Sequence, residues 1–237
     1  MNSIWIRKED LKRRGFFKNF EKNQKLLDDM YGINNYIFQI MDKKDLDLFG
    51  KAILNCNHNH SICIDTRVFD TEDSLNLLTN KLGYGFCFND YVILDYIRSD
   101  KRIKGFWNAL KNNLSMYKKV YKYQKYFIDD KIACVVKRPE ALLEYGQLLF
   151  TLTQKPALVM PMLYSQCYGK DQEWVGDSIE WFRGKKLEFT PIIQAYYDKN
   201  ENPAGQKPVN LCRVVAEYAA YICDYSLYRY TTFLKMM

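Results

Sequence analysis

The residues with the clearest metal-binding chemistry are concentrated in one short polar segment, residues 56–63. Both histidines of the chain, His58 and His60, lie there between Cys56 and Cys63. In an extended segment the side chains alternate between two sides, so Cys56, His58 and His60 would project together. Thiolate and imidazole groups are common Zn²⁺ ligands. Because the sequence contains no second ligand cluster, we interpret the segment as a polar loop without a cofactor. A divalent metal held by these four residues is the alternative.

The His58-x-His60 pair resembles the paired-histidine motif of HUH replication and relaxase endonucleases, in which a strand presents two histidines to a divalent metal. The middle residue, normally hydrophobic in that family, is Asn59 here. The resemblance implies a metal that polarises the scissile phosphate and a helical tyrosine that attacks it. Under this alternative the catalytic residues on the helix are Tyr117, Tyr121 and Lys125.

A second chemically distinctive feature is the strongly basic segment 98–125. It contains nine Lys or Arg and one acid, a net charge of +8 in a chain whose total is +7. Lysines that recur every seven residues share one helix face, and such a ridge suits a phosphate backbone or an acidic protein surface. We therefore predict a nucleic-acid contact through five lysines: Lys104, Lys111, Lys118, Lys122 and Lys125.

The same segment is predicted to form one long amphipathic helix. Its apolar residues recur at alternating spacings of three and four, which is typical of a single buried stripe. The stripe consists of Ile103, Trp107, Leu110, Leu114, Tyr117 and Tyr121.

The remaining pattern predicts an α+β protein whose C-terminal half is predominantly helical. Short β-rich runs bounded by turn residues indicate a few strands within 36–94 and 131–137, at 36–40, 61–69, 84–94 and 131–137. Capping residues and apolar periodicity indicate the helices. Besides 98–125, these are 16–31, a short helix after Thr71, and 139–152, 171–183 and 211–235.

The organisation predicted is a single domain, residues 1–237. The one plausible boundary is 126–138, which would separate a mixed α/β part with the basic helix (1–125) from a mainly helical part (139–237). Segment 211–235 has only a narrow polar stripe, so we expect it to pack in the core or against a neighbouring subunit. The predicted interface residues are Leu211, Val215, Tyr218, Ile222 and Tyr225.

The composition of the chain indicates where in the cell we expect the protein. The hydrophobic and charged fractions, 48% and 27%, are ordinary for a soluble globular protein, whereas 16% aromatic residues favours extensive interfaces. The first residues lack the apolar region of a secretory signal, and no uncharged apolar stretch is long enough to span a bilayer. Seven scattered cysteines favour reduced thiols. We expect a location in the cytoplasm or within a virus particle, without a membrane.

No familiar catalytic or nucleotide-binding motif occurs in the sequence. We therefore predict a non-enzymatic structural or interaction subunit of a larger assembly, such as a connector or ring protein of a phage or viral particle. Its expected partners are other protein subunits, in a homo-oligomer or a hetero-assembly, and nucleic acid. The alternatives are an HUH-like metal-dependent endonuclease for single-stranded DNA and a small regulator that binds nucleic acid or a host protein.

Overall fold

The computed structural model describes residues 2–82, 91–99, 101–127, 131–148, 158–185, 187–194 and 224–228. Within these residues the strands form a closed barrel in which every neighbouring pair is parallel, including the pair that joins the first strand to the last. The strands are β1 (Ser3–Ile6), β2 (Asn35–Ile40), β3 (Asn59–Asp65), β4 (Tyr91–Asp95), β5 (Lys131–Val136), β6 (Leu158–Leu163), β7 (Ile192–Gln194) and β8 (Ser226–Tyr228).

Among the described residues, helices outside the barrel connect β1 to β2, β2 to β3, β3 to β4, β4 to β5 and β6 to β7, because two parallel neighbours need a crossover connection. Those described are α1 (Lys8–Leu11), α2 (Phe16–Tyr31), α3 (Leu46–Leu54), α4 (Glu72–Leu82), α5 (Phe106–Tyr126) and α6 (Gln172–Gly184). Short 3₁₀ turns occupy Lys43–Asp45, Pro139–Ala141, Leu143–Tyr145 and Gln166–Tyr168. None of the helices in the described part of the chain is both long and apolar enough to cross a bilayer.

The alternation of side chains along each strand creates two apolar cores. Trp5 and Ile37 belong to a cluster inside the barrel, whereas Ile4 and Phe38 belong to a larger cluster between the strands and the helices. Strands buried on both faces are near-continuous hydrophobic runs rather than alternating ones. This explains the apolar composition of strands such as β4, whose five residues are all buried.

The predicted α+β class, with its mainly helical C-terminal half, is wrong. The structure is an α/β barrel of eight parallel strands, and half of them were not predicted. A short apolar run cannot be distinguished from a buried helical segment by periodicity alone. Two of the missed strands show this: Pro161 interrupts the run that forms β6, and β8 lies inside the predicted helix 211–235.

Several local predictions are confirmed. Helix α2 ends at Gly32, whose φ of 62° is the left-handed conformation that favours glycine. The Thr71 hydroxyl accepts a hydrogen bond from the Ser74 amide before α4, as expected of an N-cap. The helix predicted at 171–183 corresponds to α6. Predicted strands correspond to β2, β3 and β5, and the strand predicted at 84–94 overlaps β4.

Helix α5 exists but buries a different face from the predicted one. It begins at Phe106, and Trp107, Leu114 and Tyr121 are 78%, 52% and 43% exposed. Polar anchors explain the rotation: Asn113 donates to the Gly146 carbonyl at 2.8 Å, and the Tyr123 hydroxyl donates to the Phe69 carbonyl at 2.6 Å. The buried face consists of Ala109, Asn113, Met116, Val120 and Tyr123.

One buried serine joins side chains of β8 and β1 where the barrel closes. The Ser226 hydroxyl oxygen accepts hydrogen bonds from Trp5 Nε1 at 2.7 Å and from the Ser3 hydroxyl at 2.8 Å. Ser226→Ala would leave the buried indole N–H unpaired, so we expect the free energy of unfolding to fall by about 1–3 kcal/mol in urea denaturation. Ser115→Ala, at an exposed position of α5, serves as the control. Equal stability of the two variants would contradict this role of Ser226.

Candidate functional site

The carboxyl ends of the barrel strands bring a ring of polar and aromatic side chains together. Because side chains alternate, the residue two positions beyond an inward-facing one also faces the axis. In barrels of this type the carboxyl ends of the strands carry the functional groups. We call the inward-facing residues at the carboxyl ends of β2 to β8 the rim: Gln39, Asp65, Asp95, Lys137, Tyr164, Gln194 and Tyr228.

Two neighbouring carboxylates form one side of the rim. Asp65 ends β3 and Asp95 ends β4, and the two residues are register partners across this strand pair. Both are buried, and each is paired with an arginine from its own loop. Arg67 Nη2 lies 2.6 Å from Asp65 Oδ2, and Arg98 Nη1 lies 2.9 Å from Asp95 Oδ1. The guanidinium groups compensate the charge that burial would otherwise make unfavourable.

Tyr96, which directly follows Asp95, adopts a strained backbone conformation. Its φ of 57° is left-handed, and it is the one non-glycine residue with positive φ in the described part of the chain. Its amide donates to Asp95 Oδ1 at 2.7 Å. The guanidinium carbons of Arg67 and Arg98 lie 3.3 and 4.4 Å from the centroid of its ring. Strain of this kind is concentrated at functional sites, where the surrounding contacts maintain it.

Lys137 is the cation of the rim. It forms no ion pair with any of the described residues, and its Nζ lies 4.8 Å from the Tyr145 ring centroid. Its backbone amide donates to Gln147 Oε1 at 2.8 Å. Burial lowers the pKa of the Lys137 ammonium group, the Arg98 charge lowers it further, and Asp95 opposes the shift.

An aromatic row leads from the barrel axis outward across the rim. Tyr228 stacks on Tyr164 at 5.4 Å between ring centroids, and Tyr164 stacks on Tyr168 at 6.3 Å. Trp174 contacts Tyr168 edge-on at 6.0 Å, so the row consists of these four residues. Burial raises the pKa of the Tyr168 hydroxyl, which keeps it protonated and able to donate a hydrogen bond.

A cleft of about 280 Å³ opens beside the outer part of this row. We call it the cationic cleft, and its lining residues are Arg102, Lys137, Arg138, Ala141, Glu144, Tyr145 and Tyr168. A larger depression of about 540 Å³ lies at the opposite end of the barrel, between α2 and the residues before β3. Its lining is mostly long charged side chains of one helix face, such as Lys18 and Lys25, so we place the functional site at the rim.

The four residues considered for a metal do not converge in the structure. His60 and Cys63 lie three positions apart on β3 and therefore face opposite sides of the sheet. The Cys56 thiol contacts Gln24 Nε2 at 3.1 Å, and burial raises its pKa to about 11, which disfavours a thiolate ligand. The structure contains no group of three His, Cys, Asp or Glu suited to a metal ion among the described residues.

Except for Lys104, the residues predicted on the basic helix lie on α5, outside the rim. Tyr117 is half-buried, and Lys125 Nζ lies 4.7 Å from the Tyr121 ring centroid. Lys122 donates to the Asp70 carbonyl. Lys104 precedes the helix, and it is exposed, as are Lys111, Lys118, Lys122 and Lys125. Their contact with nucleic acid stays a prediction.

Of the predicted interface residues, only Tyr225 falls within the described part of the chain. It is buried, and its hydroxyl donates to the Tyr31 carbonyl at 2.6 Å. The others lie outside the described residues: Leu211, Val215, Tyr218 and Ile222.

Sequence reasoning missed every residue of the rim. One signal was present, since Asp65 and Asp95 each directly follow an apolar β-branched run. Recognising it would have required knowing that these runs are parallel strands whose carboxyl ends meet.

Comparisons with known proteins find structural neighbours only; no family model and no curated protein matches the chain. A β-glucuronidase from Bacteroides uniformis has a TM-score of 0.57 at 12% identity, over 96% of this chain and 30% of that one. A second protein from that organism, β-glucuronidase 2 bound covalently to cyclophellitol-6-carboxylate aziridine, has a TM-score of 0.56 at 13% identity. The match covers 97% of this chain and 30% of that one. A chitinase from Rhizomucor miehei has a TM-score of 0.51 at 10% identity, over 99% of this chain and 98% of that one. At these identities the likeness shows the fold.

The barrel and its neighbours overturn the function predicted from sequence. A non-enzymatic connector or ring subunit of a phage or viral particle is wrong, because the fold is that of chitinase and β-glucuronidase barrels. The HUH endonuclease and regulator alternatives are also wrong. The lysine-rich composition and the short histidine motif were insufficient to indicate function, since neither feature forms part of the rim.

The two rim ion pairs differ in exposure, which gives a testable contrast. The Arg98 side chain is 9% exposed, whereas that of Arg67 is 44% exposed. Arg98→Met would leave the Asp95 carboxylate buried without its partner, and we expect it to cost about 3–5 kcal/mol of unfolding free energy. Arg67→Met should cost less, because water reaches the position of its guanidinium. Urea denaturation of both variants checks this, and a larger loss for Arg67→Met would contradict it.

The lowered pKa of Lys137 predicts how the stability of the protein changes with pH. Because the pKa of Lys137 is lowered on folding, its charged form costs stability below the folded pKa. That cost disappears as pH rises from the folded pKa towards the ordinary value of 10.5. We therefore expect Lys137→Met to raise the melting temperature at pH 7 and to show a smaller advantage over wild type at higher pH. Thermal unfolding across this pH range tests the sign. An advantage that grew with pH would contradict it.

Proposed function

We propose that this chain is a glycosidase-like enzyme that binds a saccharide across the rim and hydrolyses a glycosidic bond there. The observation that carries the proposal is the placement of two adjacent carboxylates, Asp65 and Asp95, on the same rim as the aromatic row. The names of the structural neighbours, chitinase and β-glucuronidase, support the same class of substrate.

Glycoside hydrolysis requires negative charge close to a sugar carbon that becomes cationic in the transition state. Most glycosidases supply it from a pair of carboxyl groups, and the pair is about 5–5.5 Å apart in enzymes that retain configuration. Register partners on neighbouring strands have backbones about 4.8 Å apart, so Asp65 and Asp95 lie side by side at the rim.

The contacts of the two carboxylates suggest different tasks. Arg98 and the Tyr96 amide both contact Oδ1 of Asp95, and we assign its other carboxylate oxygen the stabilisation of the cationic sugar. Asp65 accepts hydrogen bonds from the Arg67 amide at 2.9 Å and from the Arg67 side chain. We assign it the positioning of the neighbouring loop and the electrostatic support of Asp95.

The aromatic row supplies the binding surface. Sugar rings present apolar C–H faces, which pack on aromatic rings, while their hydroxyl groups need polar partners at the edges. The partly exposed rings of Tyr164 and Tyr168 provide apolar contact area at the rim, and the neighbouring rim residues Gln39 and Gln194 carry amides. Tyr228 donates from its hydroxyl to Gln39 Oε1 at 3.3 Å, so the inner end of the row is fixed before a ligand arrives.

The experiment is hydrolysis of chromogenic aryl glycosides of N-acetylglucosamine and of glucuronic acid. We expect Asp95→Asn to lower kcat/KM by at least about 100-fold, because the variant keeps the shape of the site and loses its charge. Asp177→Asn, at an exposed position of α6, is the matched control and should keep wild-type activity. Absence of hydrolysis by the wild type across both glycosides, or full activity of Asp95→Asn, would refute the proposal.

A further inference from the structure

Helix α5 exposes large apolar side chains on the side that faces away from the barrel. Trp107 and Leu114 are two turns apart, so they lie close to one line along the helix, and both are more than half exposed. Met116, on the buried face, comes about two and a half turns after Trp107, so these two side chains point in opposite directions. Phe106 is also more than half exposed, and its ring contacts that of Trp107 edge-on at 5.6 Å between centroids. We call Phe106, Trp107 and Leu114 the apolar flank of α5.

Exposed lysines run along the helix beside the apolar flank. Lys111 and Lys118 each follow a residue of the flank by four positions, which places them about 40° further around the helix. Lys104 precedes the helix and belongs to the same seven-residue series. All three lysines are exposed, and none of them forms an ion pair with a described residue. No acid occurs anywhere in 101–126, so these charges are not neutralised within their own segment.

The chemistry of this surface defines its partner, which must offer hydrocarbon and negative charge together. A membrane that contains anionic lipids does so. Amphipathic helices lie on such membranes with Lys on the polar side and Trp, Phe or Leu directed to the boundary between headgroups and acyl chains. Trp favours this boundary because its ring is apolar and its N–H is polar. Each lysine near the anionic headgroups adds electrostatic attraction.

Two other occupants match the surface less well. Single-stranded nucleic acid stacks its bases on aromatic rings. Here Leu114 is aliphatic, and the Tyr121 ring has Lys125 Nζ at 4.7 Å from its centroid. A second copy of α5 would place lysines against lysines, because the helix carries no acid that could pair with them.

We propose that α5 docks the protein on an anionic membrane surface. Trp107 and Leu114 enter the boundary between headgroups and acyl chains, and the three lysines contact the anionic headgroups. The docking surface lies outside the rim, so the inference goes beyond the proposed function and does not depend on it. The expectation of a location without a membrane rested on the lack of a bilayer-spanning stretch, and a helix that lies on a membrane surface needs no such stretch.

The test is cosedimentation of the full chain with vesicles of phosphatidylcholine that contain about 30% phosphatidylserine, compared with vesicles of phosphatidylcholine alone. We expect at least about tenfold tighter binding to the anionic vesicles, and weaker binding as salt screens the headgroup charge. Lys111→Gln/Lys118→Gln should weaken binding by about fivefold for each lysine. Lys22→Gln/Lys25→Gln removes two exposed lysines of α2, and this control should bind like the wild type.

A second pair of variants tests the apolar contact. Trp107→Ser/Leu114→Ser should weaken binding to the anionic vesicles by at least about tenfold, because two apolar side chains no longer leave water. Circular dichroism should show an unchanged fold, since both side chains are exposed. Met30→Ser/Leu54→Ser removes two exposed apolar side chains of α2 and α3, and this control should bind like the wild type.

The results that would overturn membrane docking by α5 are distinct. One is equal or absent binding of the wild type to the two kinds of vesicle. Another is full binding by either α5 variant, or an equal loss in its control. Tighter binding of a single-stranded oligonucleotide than of the anionic vesicles would assign this surface to nucleic acid instead. A dimer in sedimentation velocity that Trp107→Ser/Leu114→Ser dissociates would assign it to a second copy of the chain.

Discussion

The closed parallel barrel determines where every group discussed above can lie. Each strand sends only alternate side chains towards the axis, and closure leaves no free edge at which a strand could shift its register. The inward positions at the middle of the strands are apolar, so polar groups with the same orientation are confined to the ends. The rim is the consequence at the carboxyl ends, and the buried Ser226 contacts are the consequence at the amino ends.

Burying carboxylates at the rim imposes a second constraint, since each needs a nearby cation. The structure meets it locally, because Arg67 and Arg98 come from the loops that directly follow Asp65 and Asp95. Packing of both guanidinium groups on Tyr96 joins the ends of β3 and β4 into one unit. Lys137 differs from the two arginines, because it forms no ion pair with the described residues, and Asp95 is the carboxylate whose charge acts on it.

Features that depend on neighbouring residues could be predicted from the sequence, whereas the pairing of distant strands could not. The end of α2 at Gly32 and the cap at Thr71 were predictable because they depend on neighbouring residues alone. The three-residue strand β8 was not, because it is held by partners more than 200 positions away in β1. The same reason hid the rim, since Asp95 and Lys137 follow one another in space only because β4 and β5 pair in parallel. The buried face of α5 was mispredicted because hydrogen bonds of Asn113 and Tyr123, rather than apolar periodicity, fix its rotation.

Hydrogen bonds hold the loop after β5 at both of its ends, and this arrangement affects how such a protein could evolve. Gln147 accepts from the Lys137 amide and donates to the Val135 carbonyl, while the Gly146 carbonyl accepts from Asn113 of α5. Gly146 has a φ of 70°, and a Cβ there would lie 2.4 Å from Asn112 Nδ2, so the closing turn tolerates little change. Residues 138–145 lie between these fixed points. Insertions and substitutions in that interval would reshape the cleft without disturbing the barrel, so descendants with new ligand preferences would be expected to differ there first.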